Sequence, residues 1–228
     1  KSVVESKRLL DIAGLRNESL LVCYCDTRLT ACQENVPSER HTTMANQKRR
    51  GQIATAALDL FDQRGFHGTG MEDIAKAVGM RASSLYNHYK SKQELLAEVT
   101  VSAMEELLRA NAAALAGVTG SEEKILATMR AHVVFHATHA KRVRVVNNEL
   151  NNLEDPHKSV VLQLRRDYVA RWMNVVDEGS FQAENLKIAC WALIDMGIGV
   201  ATWFSPDGPY TAEELGDMYG QFALRQLT

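Results

Sequence analysis

The chain has 228 residues, more than a single core of about 150 residues usually needs, so one large domain or two unequal ones are expected. Hydrophobic residues make up 46% and charged residues 24%, which excludes the low-hydrophobicity, high-charge profile of a disordered chain. The net charge of -2 excludes a histone-like polycation, but the sum is uneven: 6 basic and 6 acidic residues over 1–43, 8 and 5 over 44–95, and 12 and 17 over 96–228. A positive middle segment therefore precedes a negative larger one, and a near-zero total does not argue against nucleic acid.

Only four prolines occur, and long stretches lack turn clusters, so the pattern predicts an all-α fold. Residues 1–43 have no sustained helical stripe and carry Cys23, Cys25 and Cys32. Together with His41 these could be read as zinc ligands, but their spacing is not the paired C-x-x-C of structural zinc sites. The apolar stretch Leu20 to Tyr24 is too short for an export signal or a membrane span. We expect 1–43 to be an appendage, loosely packed or translated from upstream of a natural start at Met44. With Cys190 alone in the remainder, no disulfide framework is visible, and a reducing cytoplasm is the expected compartment.

From Asn46 to Arg64 the positions Ile53, Ala57, Leu60 and Phe61 recur at helical spacing, and Gly65 closes the run. The stretch Thr69-Gly70-Met71-Glu72 reads as a capping box opening a two-turn helix with Ile74, Ala75 and Val78 inward. Gly79 breaks it, and a further short helix is expected from Arg81 or Ala82 to Tyr89. Ser91-Lys92-Gln93-Glu94 then caps a longer helix. Two short helices across a glycine turn make a helix-turn-helix, whose second helix enters the major groove. Arg81, Ala82, Ser83 and Ser84 are of the size and chemistry to face bases. Tyr86, His88 and Lys92 suit phosphate oxygens, as do Lys48, Arg49 and Arg50 at the other edge. Tyr86 and Tyr89 are each equally readable as packed rings.

The stretch TGMEDIAKAVGMRASSLYNHYKSKQELL resembles the DNA-binding signature of the TetR family of transcriptional regulators. The resemblance implies that Thr69, Tyr86, His88 and Lys92 grip phosphates while Arg81 to Ser84 face bases. Many members carry Ser where Arg81 stands and Gly where Ser83 stands, so no base preference is implied.

Past Leu95 the helical pattern continues through Val99, Met104 and Leu107 as a connector, broken at Gly117 and Gly120. The next helix, opened by Ser121, Glu122 and Glu123, has Ile125, Met129, His132, Val133 and His136 on one stripe. No third ligand completes a metal set with the two histidines, so hydrogen bonding to a ligand in an apolar pocket competes with a plain core role. Asp155-Pro156 starts a helix with Val161, Leu164, Tyr168, Trp172 and Val175 inward. Arg165, Arg166 and Arg171, with Lys141, Arg142 and Arg144, suit either an anionic ligand tail or a solvated face. The run Ile188 to Phe204 is apolar nearly all round, with Asp195 in the middle; it reads as a buried helix, too short and too ionisable for a bilayer. Gly197, Gly199 and Ala201 suit close approach of a symmetry mate. Thr211-Ala212-Glu213-Glu214 caps a last helix with Leu215, Tyr219 and Phe222 inward, and the final two helices are expected to form a four-helix dimer interface.

The turn and cap WFSPDGPYTAEEL resembles a subgroup of TetR-like regulators of lipid, steroid or fatty-acid breakdown that sense acyl-CoA thioesters. The expectation is therefore an N-terminal helix-turn-helix domain over 44–95 and a helical ligand-binding and dimerisation domain over 96–228. The ligand-binding candidates are Met129, His132, His136, Arg165, Tyr168, Trp172, Trp191 and Asp195. The expected partners are operator DNA, an acyl-CoA-like effector and a second copy of the chain, with no cofactor, metal or membrane. No nucleophile elbow or HExxH pattern supports an enzyme. The rival reading is a helical lipid or acyl-CoA carrier, or a metal-using helical enzyme built on His132, His136 and Asp195, without DNA binding.

Overall fold

A computed structural model describes residues 38–179 and 181–228, with side chains from 44 onward. The cysteines and His41 considered above, and the nature of the appendage, lie outside the described side chains. The described residues contain nine α-helices, a short 3-10 turn and no strand. They are α1 Ser38–Arg64, α2 Met71–Ala77, α3 Ala82–Leu85, α4 Lys92–Leu115, α5 Ser121–Thr138, α6 Ala140–Asn148, α7 His157–Asp177, α8 Leu186–Trp203 and α9 Ala212–Leu227. The all-α expectation holds.

The chain divides into two compact units, Lys1–Ile53 and Ala54–Thr228. The described part of the first is the start of α1, where Arg49 Nη1 donates to Gln52 Oε1 at 2.9 Å across one helical turn.

Within the second unit α1 ends at Gly65, which takes φ +72°, a left-handed value that costs glycine nothing. The loop that follows is sealed from inside. Thr69, 1% exposed, donates its hydroxyl to Gly65 O at 2.9 Å with Leu60 O at 3.2 Å, satisfying carbonyls that the helix end leaves open. The cap of α2 is therefore Gly70 rather than Thr69: the Gly70 N–H donates to Asp73 Oδ2 at 2.8 Å. Gly79, at φ +64°, turns the chain into α3. That helix spans four residues and continues as turns, with Tyr89 N donating to Leu85 O at 3.0 Å, so it is shorter than its sequence pattern suggests. Ser91 caps α4, accepting from Glu94 N at 3.2 Å.

Helix α5 runs through the middle of the larger part and packs on α4, α7, α8 and α9. Its contact with α9 is the most extensive, because Gly216 and Gly220 remove two side chains from the interface: a Cβ there would come within 3.2 Å of Arg130 O and of a Leu126 methyl, respectively. Arg130 Nε donating to Asp217 Oδ1 at 2.7 Å pins the same pair. The inner stripe of α9 is Leu215, Gly216, Gly220, Ala223 and Leu227. Phe222, expected inward, is 47% exposed, since the two glycines shift the buried face away from it.

Helix α8 is apolar enough in its 18 residues to span a bilayer by length alone, but Ala189, Cys190, Leu193, Ile194, Gly197, Val200 and Ala201 are packed inside the protein. Ile188, Trp191 and Trp203 lie exposed along its other side. Gly197 and Ala201 thus belong to the interior rather than to a face offered to a mate, whereas a Cβ on Gly199 would meet nothing within 4 Å.

Candidate nucleic-acid interface and ligand cavity

The reading head is built on a small apolar core of Ile74, Ala75, Leu85 and Tyr89 beneath α2 and α3. Burial decides between the two tyrosines. Tyr89 is fully buried and its hydroxyl donates to Glu98 Oε1 at 2.7 Å, whereas Tyr86 is 51% exposed. Arg81 and Ser83 are exposed; Ala82, Ser84 and His88 are half-buried. Arg81 is the N-cap of α3 in extended conformation, so Arg81 to Ser84 occupy the first turn of the second helix, the part that reaches base edges in this motif. Lys48 is exposed and Arg49 and Arg50 half-buried on the first unit's part of α1.

Two of the side chains expected on phosphates, Thr69 and Lys92, are turned into the protein. The Thr69 side chain is buried and spent on the carbonyls of α1. Lys92 is turned inward: its Nζ donates to Phe66 O at 2.6 Å and Thr69 O at 2.8 Å and sits 4.1 Å from the centre of the Phe66 ring. It staples the α1–α2 loop to the start of α4, because two carbonyls and an aromatic face converge on the ammonium there.

A cavity of about 560 Å³ opens among α4, α5, α6, α7 and α8, within the range of small-molecule sites. Its walls are mostly apolar, with Met104, Leu107, Phe135, Val143, Val146 and Ile198 among them. His132, His136, Arg165, Tyr168, Trp191 and Asp195 all line it. Met129 and Trp172 do not: both are fully buried, and Trp172 stands edge-on to the His132 ring at 5.7 Å, where it props the wall from behind. Asn147, Val143 and Val146 were missed by sequence reasoning. Their spacing on a short amphipathic helix between basic residues was the available signal.

The basic cluster does not converge on the cavity. Lys141 pairs with Asp59 at 2.7 Å, Arg142 with Glu106, and Arg144 with Asp62 at 2.6 Å, while Arg171 donates to Leu108 O at 2.8 Å. Only Arg165 and Arg166 reach the lining. Arg165 is half-buried and bonds Val146 O at 3.1 Å and Asn147 Oδ1 at 2.7 Å. Among the described residues no carboxylate pairs with it, and burial lowers its pKa.

Hydrogen-bond partners fix the protons on the buried histidines. His132 Nε2 faces Ile194 O at 3.0 Å; a carbonyl only accepts, so this nitrogen carries the proton. Nδ1 then accepts from the Tyr168 hydroxyl at 2.7 Å. Burial, with His136 beside it, holds the pKa of His132 well below 6.5, and burial pushes Tyr168 up. His132 has no lone pair left for a metal. The described residues hold no group of three potential metal ligands.

A helix-turn-helix with an open first turn on its second helix, continuous with a helical bundle around an apolar cavity, defines a DNA-binding regulator with a small-molecule site. Residues 53–99 match the description "Bacterial regulatory proteins, tetR family" and residues 119–227 match "Tetracyclin repressor-like, C-terminal domain". The chain belongs to the TetR family, whose members are dimeric transcriptional regulators and not enzymes. It is 27% identical over 188 residues to the HTH-type transcriptional repressor KstR2 of Mycolicibacterium smegmatis, covering 79% of this chain and 91% of the relative. A regulator of the tetR family from Rhodococcus RHA1 superposes with a TM-score of 0.73 at 25% identity, covering 78% of this chain and 96% of that one. AibR, solved with isovaleryl coenzyme A and operator DNA, shares the fold with a TM-score of 0.69 at 23% identity, covering 76% and 97%.

Proposed function

We propose that the protein is a cytoplasmic homodimeric repressor that leaves its operator when an acyl-CoA-like thioester enters the cavity. The observation that carries the ligand class is Arg165, a half-buried cation with no carboxylate partner among the described residues, on the lining of a mostly apolar chamber. An apolar chain with an anionic end complements both features. The KstR2 relative is a repressor, and the AibR fold accommodates a coenzyme A thioester and operator DNA. In this reading 44–95 is the DNA-binding domain and 96–228 the ligand and dimer domain. Arg81 to Ser84 read bases, and Tyr86, His88, Lys48, Arg49 and Arg50 hold phosphates. The exposed Ile188, Trp191, Trp203 and Phe222 of α8 and α9 are covered by the second protomer. Helix α4 both lines the cavity and begins at the reading head, so an occupied cavity favours a different spacing of the two heads.

The test is a mobility shift on the DNA upstream of the protein's own gene, with lauroyl-CoA titrated in. Retardation at low salt that is lost on adding the thioester, and an Arg165→Ala variant that binds DNA but no longer responds, are the expected results. DNA binding indifferent to lauroyl-CoA in the parent chain overturns the ligand class. Failure to bind any site in that DNA overturns the repressor reading.

A further inference from the structure

A backbone carbonyl fixes the state of His136 as Ile194 O fixes that of His132. His136 Nδ1 lies 2.7 Å from His132 O, one helical turn back. That carbonyl can only accept, so Nδ1 carries a proton. Burial holds the pKa of His136 at about 4, so the ring is neutral at physiological pH and its second nitrogen bears a lone pair. Nδ1 is committed to the helix backbone, which turns Nε2 to the opposite side of the ring. The ring lines the cavity, and Nε2 has no hydrogen-bond partner among the described residues. The His136 side chain is 3% exposed and lines the cavity, so its free lone pair is available to whatever enters there. Tyr168, also on the lining, gives its proton to His132 Nδ1, so its oxygen retains only lone pairs.

We infer that the inner wall of the cavity is a hydrogen-bond acceptor site, formed by His136 Nε2, which selects a ligand carrying a hydroxyl group on its apolar body. A keto group or an aldehyde at the same place sets lone pair against lone pair, and a bare methyl leaves Nε2 unpaired. The cation lies elsewhere on the lining, at Arg165, so a donor-bearing apolar body with an anionic end fits the polarity of the whole chamber. The inference rests on the ligand reading above only for that anionic end.

Two measurements test it. Nitrogen-15 spectra of the histidines in the unliganded full chain should show His136 protonated at Nδ1 and bare at Nε2; a proton on Nε2 overturns the inference. In calorimetric titrations ω-hydroxylaurate should bind roughly tenfold more tightly than laurate or ω-oxolaurate. In His136→Phe that preference should vanish while laurate binding persists, and His136→Gln, which keeps an acceptor, should restore part of it. Equal affinities for the three acids in the parent chain, or a preference for the oxo acid, overturn it. If no acid binds, the acyl-anion reading falls by itself. Neutral dodecanol then decides: displacement of the His136 Nε2 resonance supports the acceptor site, and an unmoved resonance at saturation overturns it.

Discussion

Arg144 on α6 holds Asp62 on α1 in a two-pronged grip, Nε to Oδ1 at 2.8 Å and Nη2 to Oδ2 at 2.6 Å, and spends its remaining arm on Ala201 O of α8 at 3.1 Å. One side chain thus ties the last turn of the helix leading into the reading head to two helices that wall the cavity. The Asp62 side chain is only 13% exposed against 36% for Arg144, so removing the guanidinium strands a largely buried carboxylate. Arg144→Ala should cost about 2 kcal/mol in urea unfolding after allowance for solvent screening, and Arg144→Lys about 1 kcal/mol because a point charge cannot reproduce the fork. The same variants should weaken the response of operator binding to lauroyl-CoA more than operator binding itself, read from mobility shifts with and without the thioester.

Lys92 gives a different expectation from that of an exposed phosphate contact. With its ammonium committed to Phe66 O and Thr69 O, Lys92→Ala should lower the unfolding free energy by about 1–3 kcal/mol, as expected when buried acceptors lose a charged donor. Tyr86→Phe, on an exposed ring, should leave stability unchanged and weaken DNA binding evenly across sequences. Arg81→Ala should instead relax the preference at one base pair, by about 1–3 kcal/mol of discrimination. Competition mobility shifts on single-base operator variants separate the two.

The reading head was legible because its signals are local: a glycine turn, a serine cap and an apolar stripe all act within a few residues. The cavity was legible in part. Spacing placed His132, His136 and Tyr168 on inward faces, but it could not distinguish lining from core, which is why Met129 and Trp172 were grouped with them. Charge partners were illegible for a physical reason. Asp59 and Asp62 stand 82 positions from Lys141 and Arg144, and nothing in a linear run of arginines tells which will be neutralised by distant helices. Phe222 misled because a glycine pair, carrying no side chain of its own, set the buried face of α9.

The glycines of α8 separate interior from surface. A Cβ on Gly197 would meet His132 Cδ2 at 2.1 Å and Nε2 at 2.5 Å, displacing the ring from Ile194 O and Tyr168. Gly197→Ala should therefore destabilise the chain by about 1–3 kcal/mol despite the better helix propensity of alanine. Gly199→Ala meets open space within the protomer and should leave protomer stability equal or raised by up to about 1 kcal/mol. Thermal unfolding checks both, and equal losses at the two positions would contradict this assignment of faces.

Burial of the two histidines makes stability depend on pH with a definite sign. Both folded pKa values lie below the ordinary 6.5, His136 at about 4. Below pH 6.5 the unfolded chain takes up protons at these positions and the folded chain does not, so their contribution is fully present above 6.5 and declines as the pH falls. For His136 the decline continues to about pH 4 and amounts to roughly 3 kcal/mol over that window, at 1.36 kcal/mol per unit. His132, held below 6.5 chiefly by burial, acts in the same direction. Urea midpoints measured between pH 7 and pH 4.5 should fall steadily. In His136→Phe the slope should be visibly shallower, since that position can no longer bind a proton in either state; an unchanged slope would mean that His136 is not held neutral by the fold.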